Sequence, residues 1–123
     1  MVLTLGTGLG SALFLDGRLM PNLELGHHPF SGRHTYEEHV GNPALEKLGK
    51  KLWRRRVREV VDLVDRIWNY RLLHLGGGNS RILHAEELPD NVKIQSNQAG
   101  LTGGIALWRA AGPEELGRGR ARG

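Results

Sequence analysis

At 123 residues the chain has room for one domain, which would bury roughly two-thirds of its extended surface on folding. The absence of cysteine excludes disulfides and thiolate metal sites, and no apolar run approaches the roughly 20 residues of a membrane span, so a soluble cytoplasmic protein is expected. The net charge of +4 and the 18 glycines point to polyanions and to backbone that turns sharply or approaches a ligand.

Residues 1–5 form a short apolar run that stops at LGTGLG and read as a strand. A second apolar run, 11–15, ends at Asp16-Gly17. An Asp-Gly pair between apolar runs signals a hairpin, so 18–20 is expected to return as a third, short strand. The segment PNLELGHHPFSGRH has no period and reads as a loop rich in hydrogen-bonding groups. Helix is predicted from Thr35, where TYEE places Glu38 three residues after a capping threonine. Gly41-Asn42-Pro43 interrupts, and Asn42 is expected to cap a second helix with Pro43 at its first position. Leu45, Leu48 and Leu52 make one apolar stripe; Trp53, Val57, Val60, Val64 and Trp68 make another, rotated by more than a quarter-turn. That offset predicts a kink or break near Leu52-Trp53.

Residues 71–75 (RLLHL) read as a buried strand running into Gly76-Gly77-Gly78, and 81–87 as a short, weak helix closed by Pro89-Asp90. Residues 92–96 are the last predicted strand and 99–111 a final helix, softened by Gly100, Gly103 and Gly104. Residues 112–123 are expected to be a disordered basic tail. Antiparallel strands followed by crossover units imply a mixed sheet with helices packed on it, one lobe of an α/β protein over 1–111.

Two features suggest anion chemistry. GTGLG, Gly6 to Gly10, sets small residues between two strands, so that consecutive backbone N–H groups can face a phosphate while Thr7 adds a hydroxyl. Taken alone, an ordinary glycine-rich hairpin would look the same. Lys47, Lys50, Lys51, Arg54, Arg55, Arg56 and Arg58 stand together with no acid between them, and Arg118, Arg120 and Arg122 repeat the theme in the tail. Such a run suits a polyanion, and equally a solvated helix face.

Four stretches in order, TLGTGLGSALFLDGRLMPNLELGHH, YEEHVGNPAL, LGGGNS and SNQAGLTGGIALW, resemble the ROK family of sugar kinases from about Val2 to Trp108. These are two-lobed enzymes of the actin, hexokinase and ribonuclease H fold. Within the family, PNLELGHH, GKKLWRRRVRE and the missing cysteines are most similar to the polyphosphate glucokinases. The resemblance implies a C-terminal lobe and phosphoryl transfer from polyphosphate or ATP to the glucose 6-hydroxyl. It also implies Mg2+ accompanying the donor, and either a homodimer or an N-terminal kinase lobe as partner.

Residue by residue, Gly6, Thr7, Gly8 and Gly10 match the loop that holds the transferring phosphate. Gly76, Gly77, Gly78 and Asn79 match the loop beneath the nucleotide, and 97–104 the helix start that closes the same cleft. Glu24 and His27, in ELGH, and Glu37, in YE, match sugar-binding residues. Carboxylates and an imidazole suit a sugar, whose hydroxyls both donate and accept, and a site so built rejects analogues lacking one. The residues alone also allow Glu24 as a surface acid and Glu37 as a carboxylate serving the helix N-terminus. Lys50, Lys51, Arg54, Arg55 and Arg56 are read as a track for polyphosphate outside the nucleotide pocket. Many ROK proteins hold zinc with the GH histidine and three cysteines; this chain has none, so no zinc is expected. His28, His34 and His39 read as surface residues.

In this family the catalytic aspartate lies upstream of the LGTG strand and the first phosphate loop further upstream, so neither is expected in these residues. Asp16, in a turn, and Asp62 and Asp65, on a helix, do not replace the base. Phosphoryl transfer needs it, and the isolated chain is therefore expected to be inactive. A noncatalytic sugar- or polyanion-binding or dimerisation module, drawing on apolar surface of the WRRRVREVVDLVDRIW helix, is the alternative. A nucleic-acid binder ranks last, because no helix-turn-helix or aromatic stacking platform accompanies the charge.

Overall fold

The structure is a computed structural model that describes residues 1–21 and 23–95; the predicted helix at 99–111, the 97–104 segment and the tail lie outside these. Strands β1 (Val2–Leu5) and β2 (Leu9–Ala12) pair antiparallel across the turn at 6–8, with Leu5 opposite Leu9 and Val2 opposite Ala12. The second strand therefore starts two residues earlier than the hydrophobic run suggested and ends before Leu13. Register with β1, not side-chain hydropathy, sets its limits. Strands β3 (Phe14–Leu15) and β4 (Arg18–Leu19) form the expected hairpin, separate from the main sheet, with Asp16 at φ 51° and Gly17 at φ 77°.

The stretch read as an aperiodic loop is more ordered than expected. A 3-10 turn, Leu25–His27, precedes a second small hairpin of β5 (Pro29–Ser31) and β6 (His34–Thr35). Helix α1 (Tyr36–Val40) opens on the predicted capping box, with Glu38 N–H donating to Thr35 Oγ1 and Thr35 N–H to the Glu38 carboxylate. The bond from Thr35 N–H, followed by the Thr35 hydroxyl, holds the Glu38 carboxyl below the usual carboxylate range. Helix α2 (Asn42–Leu48) is capped by Gly41 rather than Asn42. The break before α3 (Lys50–Trp68) falls at Gly49, φ 83°, three residues earlier than the offset of the apolar stripes implied; glycine accepts that backbone and Leu52 does not.

Strands β7 (Leu73–Gly76) and β8 (Val92–Ile94) run parallel to β1, giving the sheet order β2-β1-β7-β8. The weak helix predicted at 81–87 is instead two 3-10 turns, Gly78–Ile82 and Ala85–Glu87. Leu3, Leu5, Leu73 and Leu75 share one face of the sheet and join Trp53, Val57, Val60, Val61 and Val64 of α3 in one core. The apolar face of α3 is thus buried, and of its large apolar side chains only Leu52 and Ile67 stay well exposed. That removes most of the surface expected to serve an assembly. Trp53 links the helices: its indole N–H donates to the Val40 carbonyl at 2.8 Å, satisfying one acceptor left open at the end of α1. Among the described residues no helix is long and apolar enough to cross a membrane.

On the opposite face of β7 sits His74, buried, with neither ring nitrogen hydrogen-bonded among the described residues. Burial, reinforced by the positive Met1 amino group, lowers its pKa. That amino group is itself buried, donates to the Leu72 carbonyl at 2.9 Å, and is lowered by burial to about 6.

Candidate functional site

The β1–β2 turn lies at the end of the sheet where β7 runs into Gly77. Because β1 stops at Leu5 and β2 starts at Leu9, the N–H groups of Thr7 and Gly8 are outside the ladder. The loop carbonyls are drawn the other way: Asn42 N–H donates to the carbonyls of Gly6 (3.1 Å) and Thr7 (3.2 Å). Asn79 Nδ2 donates to Asn42 Oδ1 at 2.5 Å and reaches the Gly6 carbonyl at 3.5 Å. One asparagine pair therefore ties together the β1–β2 turn, the start of α2 and the Gly77 loop. The sequence marked Asn42 only as a helix cap; its role here depends on three segments meeting, which no local pattern encodes.

Gly77 must be glycine for two reasons. Its φ is 86°, and a Cβ there would sit 2.6 Å from the Leu5 nitrogen and 3.0 Å from the Leu5 carbonyl carbon. The loop after β7 can therefore lie flat against β1, and Ser80, fully buried, fixes it through a 2.8 Å bond from its hydroxyl to the Gly77 carbonyl.

Between these loops is an open cleft of about 360 Å³ lined by Thr4, Leu5, Gly6, Thr7, Gly8, Leu9, Gly10, Glu37, Gly77 and Gly78. Of the expected donor residues, Gly76 is not in this lining; it is the last residue of β7, paired with Thr4. Asn79 acts behind the cleft, through its bonds to Asn42 and Gly6. Glu37 enters from α1: its Oε1 accepts from Leu9 N–H at 3.3 Å, and a Cβ on Gly8 would collide with the carboxylate.

The other two sugar-site candidates stand on the 3-10 turn. Ser11 holds that turn to β2, accepting from Leu25 N–H at 3.2 Å and donating to the Leu23 carbonyl at 3.4 Å. The turn backs onto Glu37, since a Cβ on Gly26 would lie 3.5 Å from the Glu37 Cβ. His27 is exposed at its end. Glu24, also exposed, lines a different cleft of about 440 Å³ with Leu23, Leu25, His28, Tyr36, Ile67 and Trp68. Glu37 thus shares a cleft with the two glycine loops, and Glu24 does not.

The remaining histidines separate. His39 is half-buried rather than open on the surface: it is 13% exposed, stacks on Phe30 and pairs with Glu59 at 2.9 Å, because α1 is pressed between β5 and α3. Among the described residues no three His, Asp or Glu side chains converge to hold a metal ion. In the basic segment, Arg56 Nη1 donates to the His39 carbonyl at 3.3 Å and Arg58 lies 3.7 Å from Glu87.

No protein-family model matches the sequence. The inorganic polyphosphate/ATP-glucomannokinase from Arthrobacter sp. strain KM matches in structure with a TM-score of 0.68 and 33% identity, over 86% of this chain and 46% of that one. Mixed sheet, helical layer and cleft together define a lobe of the hexokinase-like kinase fold. Polyphosphate glucokinases match in sequence as well. The protein of Mycobacterium leprae is 32% identical over 83 residues, and that of Mycobacterium tuberculosis strain H37Rv 36% over 84 residues, in each case 66% of this chain. The chain is a relative of the polyphosphate glucokinases, as its ROK resemblance implied. The matched stretches span 25% and 31% of those two proteins, so the chain corresponds to less than half the length of each relative.

Proposed function

We propose that this chain is the sugar- and donor-holding lobe of a glucose kinase, transferring a phosphoryl group from polyphosphate or ATP to the glucose 6-hydroxyl when joined by an N-terminal kinase lobe. The observation that supports this most is the Glu37 carboxylate in one cleft with Gly6, Thr7, Gly8, Gly10, Gly77 and Gly78. A carboxylate that can accept a sugar hydroxyl next to backbone N–H groups that can face a phosphate is what transfer between the two requires. In this reading Glu24 and His27 hold further hydroxyls from the neighbouring turn. Among the described residues the cleft offers one carboxylate and no cluster of metal ligands, and a Mg2+ accompanying the donor would be held through the donor's own phosphate oxygens.

In this reading the base and half of the donor cleft are supplied by the N-terminal lobe, and the polypeptide alone is expected to give no useful turnover. A coupled assay with glucose and either polyphosphate or ATP tests this, first alone and then with the N-terminal lobe of a related glucokinase added. Turnover of about 1 per second by the chain alone would overturn the incomplete-lobe reading. No turnover with the added lobe, both parts being folded and bound, would overturn the kinase reading.

A second reading is a noncatalytic assembly module, favoured by apolar side chains left open on and near the β3–β4 hairpin: Leu15, Leu19 and Met20, with Ile67 on α3. The added-lobe assay separates the two.

A further inference from the structure

The basic segment divides once α3 is in place. At 100° per residue, Lys50, Lys51, Arg54, Arg55 and Arg58 fall within about 140° of the helix circumference, and Arg56 lies roughly 100° beyond Arg55. Arg56 is used inside the fold, on the His39 carbonyl. The other five, exposed or half-buried, occupy a face whose Lys50–Arg54 edge borders the buried stripe of Trp53, Val57, Val60, Val61 and Val64, and extend over about 12 Å of helix axis.

This face is electrostatically unfavourable in the lobe by itself. Lys50–Arg54, Lys51–Arg55 and Arg54–Arg58 are like-charged neighbours four residues apart, and each pair repels, against two attracting pairs at the same spacing, Arg55–Glu59 and Arg58–Asp62. The first turn of α3 holds no acid, although it is the end where the helix dipole favours one. Asp62 and Asp65 enter the same face only beyond Arg58, which among the described residues is the one of the five that reaches an acid across elements, Glu87. The helix forms because burial of its other face outweighs this repulsion. An extended anion lying along the five cations would remove it. Nucleic acid fits less well, since the face presents no aromatic ring for a base: Trp53 is fully buried.

We infer that Lys50, Lys51, Arg54, Arg55 and Arg58 form a binding face for inorganic polyphosphate, anchoring the chain away from its reacting end and stabilising the lobe. The ligand's identity rests on the kinase reading above; the face does not depend on the glycine cleft.

The test uses the 123-residue chain, long-chain polyphosphate and a salt series. R54Q/R55Q should weaken binding by about tenfold or more, and should flatten the slope of log affinity against log salt by about 1.4, at about 0.7 per cation as for other single-stranded polyanions. The charge-matched pair R18Q/R33Q should leave both unchanged. Tripolyphosphate, too short to follow the face, should bind more weakly, and long-chain polyphosphate should raise the melting temperature of the parent more than that of R54Q/R55Q. Equal losses in the two double variants, or unchanged binding in R54Q/R55Q, would overturn the proposal. So would duplex DNA binding as tightly at equal phosphate concentration. If R54Q/R55Q fails to fold by circular dichroism, K50Q/K51Q carries the same comparison. Turnover with an added N-terminal lobe is a separate readout: polyphosphate binding retained without turnover supports the face and counts against the kinase reading.

Discussion

Two clefts flank the 3-10 turn, and they are built from different materials. The one that holds Glu37 is lined by strand ends and five glycines, with an asparagine pair fixing the loops behind it. The one that holds Glu24 is lined by Leu23, Leu25, Tyr36, Ile67 and Trp68 side chains. The first cleft is specified by where chains can approach each other, and at Gly8, Gly10 and Gly77 it has no room for a Cβ. A side-chain-lined cleft is specified by packing and can be reshaped. Function that needs fixed N–H donors belongs to the first kind, and adjustable shape selection to the second.

The comparison is broken most severely at Gly77. Gly77→Val adds a clash with Leu5 to an unfavourable φ, and should lower stability by about 3 kcal/mol or more in urea denaturation. A loss below 1 kcal/mol would mean that the loop does not lie against β1 as described. Next in size, with an added N-terminal lobe, Glu37→Ala should reduce glucose kcat/KM by about 100-fold, largely in kcat, while Glu24→Ala should act mainly on KM, by about tenfold. Equal effects on the same constant would place both carboxylates in one functional site despite their separate clefts.

Acid should act on a third region, the His74 face of the sheet, and leave the distinction between the clefts untouched. A buried base whose folded pKa is lowered keeps its contribution above its unfolded pKa and loses it as pH falls. For the Met1 amino group, 8.0 falling to about 6, the loss is about 2 kcal/mol between pH 8 and 6. For His74 the loss begins below its ordinary value of 6.5. Melting temperature should therefore fall from pH 8 to 6 and fall further below; blocking the amino terminus should remove the first part, and His74→Gln should reduce the second. The smallest effect is expected at Ser11→Ala, which frees the turn carrying Glu24 from β2 at about 1 kcal/mol. A Ser11→Ala variant that alters Glu37-dependent kcat but not glucose KM would show that the turn serves the first cleft instead.

Much of this lobe was legible in the chain itself, wherever the determining contacts are local. Thr35 and Glu38 cap a helix through bonds three residues apart, Asp16-Gly17 adopts the two positive-φ conformations its hairpin needs, and the valine stripe of α3 repeats at the period that buries one helical face. The LGTGLG and LGGGNS stretches identified the two loops of the cleft, and the order of motifs pointed to the kinase lobe. Tertiary structure decided the rest. The register of β2 follows from pairing with β1, Gly76 belongs to a strand instead of the cleft, and His39 is covered because α1 packs against both β5 and α3. Asn42 and Asn79 are 37 positions apart, and nothing near either one announces the other. The separation of Glu24 from Glu37 likewise depends on which way a three-residue turn leans against a helix. Such choices are made by contacts between distant segments, whose energies appear only once the core has drawn those segments together.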